Sequence, residues 1–353
     1  MSSTSVAFAA PEVFTDPGQM RPWADGWRAL AARTGTSYFC TPDWVLGWWE
    51  TLGHDVEGRI AVWTSGDGRV DAVVPLALAT HRLHRRLPIG FPVWTNLGSG
   101  IGAADHCGFP VDPARAGDVA RWLAARAAEH SLLLVNLDPE TGRPHVPHDA
   151  VCVARERCPR VDLTTGEIGS SKLRKQVRYN TRRLAAEGVE FRFVPPGEMD
   201  QGLLDATFEL HRLRRQSMGA DTSFDTSRRE FHRRLLRCSR WGLGPSAVVA
   251  QKGEQIVGIL YGLRWGDTYS YFQSGWRPGW GDHSLGTVLV ARAAAYARED
   301  GALVFDLLRG PEPYKYRFGA VDRFDETWLV PRGLGGRLLL AGFRARARRG
   351  SSR

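Results

Sequence analysis

Apolar residues in this chain fall into short runs with two spacings, one helical and one strand-like. Between Thr41 and Gly53 they bunch as Trp44, Leu46, Trp48 and Trp49. That run opens with Thr41-Pro42-Asp43: a hydroxyl cap, a proline in the first turn and an acid beside it, which together mark a helix start. Residues 59–64 and 70–78 are apolar-rich and separated by Ser65-Gly66-Asp67-Gly68, which predicts a β-hairpin. A Gly/Pro-rich stretch fills 88–113. Residues 114–130 then read as a helix and 131–137 as a strand.

The second half repeats this order. Residues 203–218 read as a helix. Residues 246–250 and 256–263 form a hairpin across Lys252-Gly253-Glu254, and 269–274 a third strand. A Gly/Pro-rich loop at 276–282 precedes a helix over 285–298 and a strand over 302–308. AVWTSGDGRVDAVVPLAL from Ala61 matches AVVAQKGEQIVGILYGLR from Ala247 in pattern. Shared element order favours an internal duplication over coincidence among common hairpins. The expected architecture is α+β, with two hairpin-rich sheets flanked by helices. Expected segments are a loose arm at 1–20, units at 21–165 and 166–330, and a basic tail at 331–353. The stretch 139–168, rich in Pro, Gly and charge, reads as the join.

Composition narrows the class. The chain has 353 residues, 43% hydrophobic and 24% charged, as in soluble globular proteins. No apolar run approaches the roughly 20 residues of a membrane-spanning helix. The start lacks the charge and apolar core of a signal peptide, so a cytoplasmic protein is expected. Five cysteines with no CxxC pair argue against a disulfide scaffold or a thiolate zinc site, and no metal is expected. Cys152 and Cys158 can pair or stay free.

The formal charge of +9 carries 43 Arg against 4 Lys. Composition bias explains that ratio; an anionic partner is the functional alternative. The charge is local. Residues 170–184 hold six basic residues and no acid, and 327–353 hold seven arginines and no acid, which leaves the rest mildly acidic. This weakens a general nucleic-acid reading. The tail, with Leu338, Leu339, Leu340 and Phe343 among its arginines, reads as a packing helix or as a peripheral membrane contact.

Four segments carry candidate chemistry. In the basic helix, Leu173, Val177 and Leu184 share a stripe, so Lys172 and Arg178 face elsewhere, on a solvated surface or an anion cradle. The loop Gly281-Asp282-His283-Ser284-Leu285-Gly286-Thr287 opens a helix whose N–H groups suit a phosphate, and Gly286 would allow close approach. Ser284 is also an ordinary N-cap. In Phe305-Asp306-Leu307-Leu308-Arg309-Gly310-Pro311-Glu312-Pro313-Tyr314-Lys315, a strand ends in a polar loop. Asp306 or Glu312 is the candidate base, Tyr314 the candidate acid, Lys315 a retained compact cation and Arg309 a substrate contact. His211 and Arg215, at i,i+4, can grip an anion or form a half-buried pair.

These segments resemble the acetyltransferases named after the cellulose-biosynthesis proteins CelD/BcsL, a branch of the GNAT superfamily. The likeness spans roughly residues 38–330. It rests on FCTPDWVLGWW from Phe39, Val74-Pro75-Leu76, the basic helix, LHRLRRQ from Leu210, REFHRRL from Arg229, SLG from Ser284 and FDLLRGPEPYKYRFG from Phe305. A more distant similarity is to Fem-type aminoacyl transferases. The resemblance implies tandem GNAT folds, the first degenerate, and transfer of an acyl group from acetyl-CoA or another acyl-CoA to an amine or hydroxyl. The acceptor is expected to be a small molecule or a glycan or envelope precursor. Pyrophosphate would sit at Gly281–Gly286. An aminoacyl-tRNA donor and a decayed binding protein are the alternatives.

Overall fold

A computed structural model describes residues 10–82, 89–100 and 102–350. The chain clusters into two compact units, Met1–Glu156 with Phe324–Arg353, and Arg157–Arg323. Along the first run lie β1 (Glu12–Phe14), α1 (Ala24–Arg33), α2 (Pro42–Leu52), β2 (Glu57–Thr64), β3 (Val70–Arg82), β4 (Gly90–Asn96), α3 (Ala116–Glu129) and β5 (Ser131–Leu137). Then come β6 (Val151–Asp162), α4 (Ser171–Ala186), β7 (Val189–Val194), α5 (Gln201–Ser217) and α6 (Thr226–Cys238). The order continues with β8 (Gly244–Lys252), β9 (Gln255–Trp265), β10 (Thr268–Trp276), α7 (Leu285–Glu299) and β11 (Val304–Asp306). It ends with α8 (Pro313–Tyr316), β12 (Val321–Val330) and α9 (Gly333–Gly350).

Each unit builds a mixed, mostly antiparallel sheet flanked by helices, as expected. In the first, β1, β2, β3 and β4 pair antiparallel, β5 joins β4 in parallel, and β12 closes antiparallel on β5. In the second, β7, β8, β9 and β10 pair antiparallel, β11 joins β10 in parallel, and β6 closes antiparallel on β11. Both parallel pairs are joined by one helix, α3 or α7, because parallel neighbours need a crossover. The last strand of each sheet comes from far away in sequence.

Local signals explain the elements. Thr41 Oγ1 accepts from Trp44 N (3.4 Å), with Pro42 at the first helical position. Ser170 caps α4 through Leu173 N (3.2 Å). In the second unit, α7 buries Leu285, Val288 and Leu289 in one core with Val248, Val257 and Leu260. Truncating such a leucine to alanine costs about 2–5 kcal/mol. On β10, a Cβ built on Gly275 would lie 2.2 Å from the Leu210 carbonyl carbon, so only glycine lets α5 pack this closely.

Two expectations change, and the tail takes one of its two readings. The arm at 1–20 is structured from Glu12: β1 pairs with β2, and Pro17–Trp23 form a 3-10 helix capped by Asp16; residues 1–9 lie outside the described residues. The join contains β6, in which Pro159 still offers its carbonyl to Leu307 N (3.0 Å). The basic tail becomes α9, with Leu339 buried against Val93, Leu133 and Leu329 in the first unit. Among the described residues, no helix is long and apolar enough to cross a membrane.

Candidate active site

The site lies in the second unit, where the parallel pair comes apart. β10 and β11 match only through Thr268–Val304, Tyr269–Phe305 and Ser270–Asp306. A bulge between Tyr271 and Gln273 re-aims β10, which runs on to Trp276. After Asp306 the chain turns away, with Leu308 at φ +57°. The edge of β10 beyond Ser270 is left without its parallel partner.

A cavity of about 240 Å³ opens at this gap. One wall is the start of α7: Gly281, Ser284, Gly286, Thr287 and Val290. Ser284 is left-handed (φ +55°) and makes no side-chain cap, and no acid lies in the first turn. Thr287 N already donates to Ser284 O (3.0 Å), so the N–H groups this end can offer an anion are those of Leu285 and Gly286. Leu285 does not line the cavity, because its side chain is buried in the core. Gly286 is glycine for another reason than expected. A Cβ there would meet the Trp276 indole at 2.6 Å, so the ring, rather than a ligand, requires the missing side chain.

The other walls are Arg214, Tyr271, Trp276 and Tyr314. Arg214 stands 4.2 Å over the Trp276 ring and donates to Ser274 Oγ (3.0 Å) and Ser274 O (3.3 Å). The Tyr271 hydroxyl lies 2.5 Å from the same Oγ. Burial, with Tyr271 and Glu312 adding, pushes the Tyr314 phenol far above its ordinary range, so it keeps its proton. A cation, a held phenol and an uncapped helix end suit an anion with an apolar arm, as in an acyl-CoA.

The neighbouring loop is held by Lys315. Its buried Nζ donates to the carbonyls of Leu308 (3.0 Å), Arg309 (2.9 Å) and Gly310 (3.0 Å) and pairs with Glu312 Oε2 (2.9 Å). With every proton engaged, Lys315 positions the loop and is no free catalytic cation. Asp306 is buried, and its Oδ1 accepts from Leu308 N (2.7 Å), which fixes the same turn. Arg309 is half-buried beside it.

The remaining candidates lie elsewhere. His211 is buried, within 3.3 Å of Thr222 Oγ1 and 3.4 Å of Ser223 Oγ. Burial, with Arg214 and Arg215 adding, lowers its pKa to about 4. A neutral ring does not grip an anion at neutral pH. Arg215 Nε donates to Asp221 O (2.9 Å). Lys172 is exposed away from the cavity, and Arg178 lines a different one. The arginine that matters is Arg214, one position from Arg215. Its i,i+3 spacing from His211 was the available signal. Trp276, at a strand end, had none.

Residues 171–316 match a family described as an acetyltransferase (GNAT) domain, so the second unit contains a GNAT-type domain. Among solved structures, the chain is similar to FemX (12% identity, 87% of this chain and 95% of that one, TM-score 0.61). It is also similar to the C-terminal domain of a putative lysylphosphatidylglycerol synthetase from Agrobacterium fabrum (15%, 90% and 95%, 0.58). A third is L-PGS from Bacillus licheniformis (14%, 93% and 96%, 0.55). At these identities the likeness shows the fold. No curated protein matches in sequence.

Proposed function

We propose that the second unit is an acyl-CoA-dependent N-acyltransferase of the CelD/BcsL type. It would move an acetyl or other acyl group to an amine, or a hydroxyl, of a small molecule or envelope-glycan precursor. The observation that carries this reading is one cavity that joins the β10–β11 gap, the uncapped α7 end and Tyr314. The α7 N–H groups and Arg214 would hold pyrophosphate. Backbone donors of β10 beyond Ser270 would meet the thioester carbonyl oxygen, where a single such donor is worth about 3 kcal/mol in other enzymes. The amine attacks, the C–N bond forms and the C–S bond breaks. Tyr314, holding its proton, donates a hydrogen bond to the leaving thiolate, which takes its proton from solvent. Glu312, about half exposed, is the nearby carboxylate that can take the amine proton through water.

A second reading uses aminoacyl-tRNA. It is favoured by the outward basic face of α4, where Lys172, Lys175, Arg178, Arg182 and Arg183 are exposed around Tyr179. Thermal shift with a panel of acyl-CoAs, followed by thiol release with amine acceptors, separates the two. The first reading expects stabilisation and acceptor-dependent release. No shift at millimolar acyl-CoA, with steeply salt-dependent tRNA binding, would replace it with the second.

A further inference from the structure

The basic helix, whose charges the acyl-transfer cleft leaves unused, borders a second cavity of about 350 Å³. This lies within the size range of small-molecule sites and has room for about a dozen water-sized groups. Its floor is apolar: Leu173 and Val177 from α4, Ala291 and Ala295 from α7, then Ile168 and Phe318. Its rim carries three guanidiniums and one carboxylate, Glu167, and two of the three guanidiniums are already engaged. Arg174 pairs with Glu167 (2.6 Å) and donates to Gly169 O (2.5 Å), while Arg298 donates to Gly166 O (3.1 Å). Arg178 is exposed, one turn along from Arg174, and pairs with no carboxylate among the described residues. Like charges at i,i+4 repel, so a bound anion there would relieve the helix.

We propose that this cavity binds a single-chain amphiphile, its apolar chain on the α4–α7 floor and its carboxylate or phosphate head on Arg178. The site is separate from the acyl-transfer cleft and does not depend on that reading. The two draw on different stretches of α7, Gly286 to Val290 for the cleft and Ala291 to Arg298 for this floor.

Calorimetric titration of the full chain with dodecanoate, decyl phosphate and dodecyltrimethylammonium tests it. The expected result is saturable binding of at least one anion and none of the cation. Affinity should fall about tenfold or more in Arg178→Ala and recover in part in Arg178→Lys. It should be lost in Ala295→Phe, which fills the floor, and kept in Arg182→Ala. Circular dichroism melting identifies any variant that fails to fold, and the Arg178 pair then carries the test. Overturning results are no anion binding, equal binding of the cation, an unchanged Arg178→Ala, or displacement by acetyl-CoA, which would put the amphiphile in the acyl-transfer cleft. A failure of acetyl-CoA to bind at all would count against the acyltransferase reading alone.

Discussion

The two units pass through the same strands and the same crossover helix, yet among the described residues they are built differently where those elements meet. In the first, the parallel ladder stops at Thr95–Leu133, and the next residue, Asn96, continues it with its side chain. Asn96 Oδ1 accepts from Val135 N (2.8 Å), and its Nδ2 donates to Val135 O (3.2 Å). Cys107 then bridges to Leu137, and residues 104–110 are buried in the space beyond. In the second, the ladder stops at Ser270–Asp306, and the next residue is Tyr271, whose hydroxyl turns to Ser274.

The helix starts differ in the same sense. α3 begins Ala116-Gly117-Asp118 and, like α7, has no side-chain cap of its own, but its Asp118 is held there by Arg115 (3.3 Å) and Arg121 (2.7 Å). α7 begins Leu285-Gly286-Thr287, with no acid and no cap. One helix carries an acid in its first turn, and the other carries none. A few side chains, on one shared topology, decide whether a cleft exists.

Acid should separate the units most strongly. In the second, burial lowers His232 to about 3 and His211 to about 4, while in the first it lowers His145 to about 4 and, with Arg346 adding, lowers His81 as well. All four lie below the free value near 6.5, so the unfolded chain takes up protons that the folded chain refuses. Stability is therefore full above about pH 6.5 and falls toward pH 4, by about 3 kcal/mol for each of His232, His211 and His145. Hydrogen exchange against pH should show the second unit opening first; simultaneous opening would remove this distinction.

Tyr314→Phe keeps the wall and removes the proton. The expected result is about a hundredfold lower kcat with little change in KM, measured by thiol release. An unchanged kcat would move that donor elsewhere. Asn96→Ala should leave activity intact and lower stability by about 2 kcal/mol in denaturant unfolding, since Val135 loses both partners. Thr287→Asp copies Asp118 into the open helix. It should weaken acetyl-CoA about tenfold while raising stability by about 0.5 kcal/mol through the helix dipole. Calorimetry and melting together check that opposed pair of signs.

Much of this contrast was readable in residue order. Thr41-Pro42-Asp43, both hairpins and the α7 start followed from local chemistry. Of the residues singled out as candidates, Gly281, Ser284, Gly286, Thr287 and Tyr314 line one cavity. What escaped depends on distant pairing. β6 and β12 mix arginines and acids with apolar residues, and each pairs with a strand far away in sequence, which no local period reveals. Lys315 stood out as a rare lysine, yet its role as a clamp needed three carbonyls brought together by a turn. Arg214 and Trp276 meet only because Gly275 lets α5 touch β10.

The central claim is that the ligand enters the second unit and not its shut counterpart. Hydrogen exchange of the full chain with and without saturating acetyl-CoA tests it directly. Slowed exchange is predicted at residues 271–276 and 281–290, with none at 90–96 or 116–123. Protection in the first unit's equivalents, or no protection in either, would contradict it.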